Sequence, residues 1–165
     1  MKHIRLLLFP LLLAVPALAS SKAEFFDQLS AEMKPAAAEF AKACNLPPFK
    51  RVQVGAGSLT YNATAEFLKK YDGAAAQQLL QNPRQILKDL SAACQKITNL
   101  GPRIQRAGLV DIDISFRAPA AEPKGNIAAI TLNGSQIVIR LPHGLPAAEV
   151  APPGLMATQL NNRVR

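Results

Sequence analysis

Asp111 and Asp113 lie two residues apart where apolar and polar side chains alternate. On a strand, positions two apart share a face, which sets the two carboxylates about 7 Å from each other. Such a pair can hold a cation, or act as general acid and base once a neighbouring group separates their pKa values. The competing reading makes them the polar half of an amphipathic strand, with Ser115 and Arg117 completing its wet face. The second reading is favoured, because a hard cation collects about six to eight oxygen ligands. The other acidic residues follow helical polar faces and show neither E-x-x-H nor calcium-loop spacing.

The remaining chemical groups are few. His143 sits beside Gly144 in a Pro-rich stretch. Without an orienting group in the sequence around it, it reads as a solvated loop residue rather than a base. No G-x-S-x-G, H-E-x-x-H or phosphate-loop motif occurs. Gly55-Ala56-Gly57 lacks the third glycine of a dinucleotide fingerprint, since that position is Thr60. No metal set and no cofactor motif follows from these residues, and no catalytic set is assigned. Cys44 and Cys94 are the only two cysteines. Their spacing excludes a C-x-x-C redox pair, and their number excludes a zinc cluster. Each falls on the apolar stripe of a predicted helix, so a structural disulfide between them is expected if the compartment is oxidising.

The N-terminus supplies that compartment. Lys2 and Arg5 precede an apolar run from Leu6 to Leu13, and Ala17-Leu18-Ala19 follows. A basic start, a short apolar core and small residues at −3 and −1 predict a secretory signal peptide over residues 1–19, cut between Ala19 and Ser20. The run is too short, and too interrupted by proline, for the ~20 apolar residues of a spanning helix. The expectation is an exported, periplasmic or secreted protein with no transmembrane segment after cleavage. A short basic signal and an Ala-rich chain favour a bacterial source.

Of the 165 residues, removing those 19 leaves 146, the size of one domain. Hydrophobic residues make up 49% of the chain, too many for a wholly disordered one. Because 28 of them are Ala, a thin core is expected.

Residues 22–44 place Phe26, Leu29, Met33, Ala37, Phe40 and Cys44 at spacings of three and four, one stripe of an amphipathic helix. Pro35 should kink it or start a second helix, and Asn45 to Pro48 should stop it. Lys50 to Val54 fits a short edge strand, and Asn62 to Tyr71 a helix that Asp72-Gly73 either ends or interrupts within a longer one reaching Gln81. A further helix is predicted over 83–100, with Asn82 as N-cap, Pro83 at the first position and Gly101-Pro102 closing it. After Gly108 the period changes to two: Val110–Arg117, Ile127–Leu132 and Ser135–Leu141 read as strands. Asn133-Gly134 between the last two predicts a type I′ hairpin with Ile130 opposite Ile137.

The fold class expected is α+β, with N-terminal helices packed on one face of a small C-terminal antiparallel β-meander. Residues 20–141 form the single domain, and 142–165, with four prolines and no periodicity, a flexible Pro-rich tail.

Charge is the remaining functional signal. The chain carries a formal charge of +8. Arg84, Lys88, Lys96, Arg103 and Arg106 cluster against the lone Asp89, a candidate anion-binding surface. No aromatic interleaving suggests base stacking, so a nucleic-acid partner is not expected. The reading by elimination is a small non-enzymatic binding protein of the cell envelope: an adaptor, inhibitor or immunity-like factor. Its partner would be an acidic protein, an envelope polymer or an anionic lipid. The alternatives are a hydrolase using Asp111 and Asp113, or an anionic-lipid-binding protein.

Overall fold

The computed structural model describes residues 22–57, 68–71 and 74–165. The signal segment, its Ala19–Ser20 junction and most of the helix expected at 62–71 lie outside the described residues. Helix α1, Lys22–Ala43, buries Phe26, Leu29, Met33, Ala37 and Phe40, the stripe its spacing predicts. Pro35 is inside it, on the exposed side. Asn45 takes a left-handed φ of 55°. Leu46 N–H then reaches back to Ala41 O at 2.9 Å and Asn45 N–H to Lys42 O at 3.1 Å. Those reversed bonds satisfy the helix's last carbonyls and end it as a Schellman motif.

The second long helix, α2, runs over Ala75–Lys96 rather than 83–100. Buried Ala76, Leu79 and Leu80 carry the apolar stripe N-terminal to Pro83, so the helix extends through the proline. Asn82 is accordingly no cap; its Nδ2 donates across to Leu145 O at 2.8 Å. At the far end Asn99 turns left-handed (φ 61°), and a separate short helix, α3, spans Leu100–Arg106. Gly101 therefore lies inside α3 instead of terminating α2. The Cys44–Cys94 disulfide joins the end of α1 to the last turns of α2, with Cα atoms 5.1 Å apart.

The sheet contains β1 (Arg51–Gly55), β2 (Asp111–Arg117), β3 (Ala129–Asn133) and β4 (Gln136–Pro142) in the order β1-β2-β4-β3. It is mixed, not an antiparallel meander: β1 and β4 both run parallel to β2, and only β3–β4 is antiparallel. The loop after β2, which includes a 3₁₀ turn at Pro123–Asn126, carries the chain past the β4 position to the far edge. The hairpin then returns β4 into the gap beside β2. This α+β arrangement places Ile112, Ile114, Phe116, Ile130, Ile137, Ile139 and Leu141 in one core with both long helices.

Each sheet edge makes hydrogen bonds with a helix side chain. Ser30 Oγ of α1 accepts from Val54 N–H at 2.8 Å on β1. On β3, Gln159 Oε1 accepts from Ile130 N–H at 2.7 Å, while its Nε2 donates to Ala128 O at 3.1 Å. The Gln159 amide thus stands in for a neighbouring strand at the start of β3, which blunts that part of the edge against pairing with another chain.

Gln159 belongs to the segment expected to be a flexible tail. Residues 142–165 instead complete β4 and form α4 (Ala147–Val150) and α5 (Leu155–Arg163). Val150, Met156, Leu160 and Val164 are buried in the common core. These few apolar residues suffice here because they fill the space between α2 and β3, while Pro142 ends β4 and the other prolines lie outside the helices. Among the described residues no helix is long and apolar enough to cross a membrane.

The hairpin forms one residue later than expected. Asn133 pairs with Gln136 and Ile130 with Ile139, so Gly134-Ser135 is the loop. Gly134 alone of these two has positive φ, 56°, the requirement of a type II′ turn with Gly first. The shift moves the register but leaves every side chain on its expected face. Gly134→Val is expected to cost about 1–3 kcal/mol through backbone strain alone, since nothing lies within 4 Å of its added Cβ. Urea unfolding of the variant checks this, and an unchanged midpoint would refute it.

Candidate functional site

Asp111 and Asp113 do share a face of the sheet, the one turned away from the helices. Their parallel neighbours are Arg51 and Gln53 on β1 and Gln136 and Val138 on β4. Arg51 pairs with Asp111 at 3.7 Å. Asp113 lies deeper, with Gln53, Ser115, Arg117 and Arg140 around a shallow depression of about 610 Å³. Burial raises its carboxyl above the ordinary value, against the opposing pull of Arg140 and Arg51. Arg117 is committed elsewhere, donating to Gly125 O and, at 3.1 Å, to Ile127 O, which pins the loop before β3.

A raised folded-state pKa means the neutral carboxyl fits the fold better than the anion. Stability from that group is present below the ordinary pKa of 3.8 and is lost as pH rises through the folded value. Asp113→Asn is therefore expected to melt higher than the parent at pH 7, the difference closing as pH approaches 3.8. Thermal melts at both pH values test it; a lower melting temperature for the variant at pH 7 would show that the arginine contacts outweigh burial.

A larger cleft, about 700 Å³, opens at the carboxyl ends of β2 and β4. In open sheets with parallel strands, ligand crevices favour this end. His143 N–H extends the ladder past β4 by donating to Arg117 O at 3.1 Å. Its imidazole is half-buried rather than solvated: Nδ1 lies 3.2 Å from the Tyr71 hydroxyl, with the rings edge-on at 5.7 Å. Burial, with Lys70 adding to it, lowers the His143 pKa below its ordinary value and favours the neutral ring. Gly144, at φ 75°, lets the backbone pass beneath this pair; a Cβ there would meet the Tyr71 hydroxyl at 2.9 Å. The opposite wall is a row of amides on α2, Gln78, Gln81, Asn82 and Gln85. That row was open to sequence reasoning, since its spacing is one helical stripe, but glutamine on a helix carries no chemical signature by itself.

The five basic residues differ in their settings. Arg84 is engaged between the long helices, 3.4 Å from Glu32 and 3.0 Å from Gln77. Lys88 and Lys96 are exposed along α2. Arg103 and Arg106, on α3, line a small pocket of about 320 Å³ with Val164 and Arg165. Arg103 donates to Asn161 Oδ1, yet its buried Nε has no partner. Among the described residues no carboxylate side chain lines this corner.

Comparison of the chain with protein-family models, curated proteins and solved structures finds no match.

Proposed function

We propose that this is a small exported, non-enzymatic binding protein of the cell envelope whose partner is acidic. The observation that carries the reading is the arginine corner, where Arg103, Arg106 and Arg165 surround one pocket with no acidic side chain among its lining residues. Guanidinium groups in that arrangement suit carboxylate or phosphate oxygens, because each presents a planar fork of donors. The disulfide fits an oxidising compartment. Adaptor, inhibitor and immunity-like roles share this chemistry, as does a protein that docks on anionic lipid.

Retention on heparin should fall steeply with salt, as ionic strength shortens the ~10 Å screening length at 0.1 M. Replacing Arg106 and Arg165 by Ser should release the protein at lower salt than Arg84→Ser does. Equal elution of the two variants would defeat the assignment of the corner. A hydrolase is the second reading, favoured by the unequal environments of Asp111 and Asp113. It requires Asp113→Asn to abolish turnover of whatever substrate is found.

A further inference from the structure

The cleft between α2 and residues 142–147 is built for a different ligand from that of the arginine corner. Gln78 and Gln81 are exposed, and among the described residues neither side chain makes a hydrogen bond within the protein. Gln85 uses only its Nε2, on Asp89 Oδ1 at 2.8 Å. These three side chains recur at i, i+3 and i+7 and run about 10 Å along the helix axis. Three residues of extended chain cover the same length.

The fourth amide of the row shows what such a wall can hold. Asn82 donates to the backbone carbonyl of Leu145, so one member of the row already holds a peptide group, in the bend that follows β4. An amide side chain matches a peptide group in both senses, donating to its oxygen and accepting from its N–H. A sugar ring would instead require an exposed aromatic face against its C–H surface. The cleft's aromatic residues, Tyr71 and Phe116, are only 4% and 1% exposed. At one end Lys70 stands exposed, its Nζ 5.3 Å from the Tyr71 ring centre. Among the described lining residues it is the one cation apart from His143, whose environment favours the neutral ring.

We infer that this cleft binds a short extended peptide of about three residues, its backbone paired with the Gln78, Gln81 and Gln85 amides and a carboxylate directed at Lys70. The site is separate from the arginine corner and does not depend on the polyanion reading.

Nitrogen-15 NMR titration of the disulfide-intact protein, following the glutamine side-chain amides, tests it. The probes are N-acetyl-trialanine with a free carboxylate, the same peptide amidated at its C-terminus, and maltotriose. The free-acid peptide should shift the Gln78, Gln81 and Gln85 signals saturably, and amidation should weaken binding about two- to fivefold, the worth of one exposed ion pair. Lys70→Met should erase that difference. Gln78→Ala combined with Gln81→Ala, both at exposed positions, should weaken binding about tenfold or more. Absence of any saturable peptide shift, maltotriose shifting these signals in place of peptide, or unchanged affinity in the double variant would each overturn the inference. Heparin retention of the Lys70 and glutamine variants, expected to stay near the parent's, keeps this outcome separate from that of the arginine corner.

Discussion

Reducing the Cys44–Cys94 disulfide is expected to lower the unfolding free energy by roughly 4 kcal/mol. The bridge spans a sequence separation of 50, and closing a loop of that size removes about that much entropy from the unfolded chain. The figure is a large share of the ~5–15 kcal/mol available to a domain of this size. Location adds to it. Cys44 is 4% exposed, and Cys94 packs against the same core. The bridge fastens the end of α1 to α2, the helix that also contacts α4 and α5. Cys44→Ser and Cys94→Ser should therefore destabilise to a similar degree, and a reductant should add little to either variant. Urea unfolding with and without reductant measures the effect. Thiol counting on the denatured, unreduced protein supplies the decisive control: two free thiols per chain would remove the bridge and the expected loss together.

That disulfide was legible because two independent signals agreed, the export segment expected at the N-terminus and the helical spacing around each cysteine. Local patterns elsewhere were equally readable. The stripe of α1, the alternation of β2 and the faces of the hairpin all follow from periods of 3.6 and two. What the sequence concealed was pairing across distance. Nothing in Asp111–Arg117 distinguishes a strand flanked by two parallel neighbours from one in a meander, because its inward residues are apolar in either case. Pro83 misled for a local reason: proline favours the first turn of a helix, yet buried Leu79 and Leu80 draw the preceding turns into the same helix. The C-terminal segment misled through composition, since its few apolar residues matter only where α2 and β3 leave a gap.

The candidate sites divide along the same line. Asp111 and Asp113 share a face because a strand's period places them there, and that much needs no tertiary contact. The Tyr71–His143 contact joins residues 72 apart in sequence, and the amide row of α2 becomes a wall only when Leu145 lies opposite it. Arg84 and Arg106 looked alike as members of a basic run. Packing separates them, because Glu32 of α1 reaches the first, while among the described residues no acidic side chain lines the pocket beside the second.

The second large effect is expected from one added methyl group. Gly101 is buried within α3, where Ala would ordinarily favour the helix by about 0.8–1.0 kcal/mol. At this site the sign should reverse. A Cβ on Gly101 would enter the van der Waals shell of Cys44 O and lie 3.0 Å from the Cys44 carbonyl carbon. Both are backbone atoms, so no rotamer change can relieve the contact. Cys44 is also poorly placed to retreat, held by the reversed bonds that end α1 and by the bridge to Cys94. Overpacking costs typically about 1–3 kcal/mol, and a backbone contact belongs at the upper end. Gly101→Ala should therefore lower the melting temperature by on the order of 10 °C, at a few degrees per kcal/mol for this chain length. A double-mutant cycle with Cys44→Ser tests the cause as well as the size. If the bridge is what prevents Cys44 from yielding, Gly101→Ala should cost less in the Cys44→Ser background, by more than the ~0.3–0.5 kcal/mol within which independent sites add. Strict additivity would mean that the Schellman end of α1, not the disulfide, holds the Cys44 carbonyl against α3. A stabilised Gly101→Ala protein would mean that α3 does not pack against Cys44 in solution.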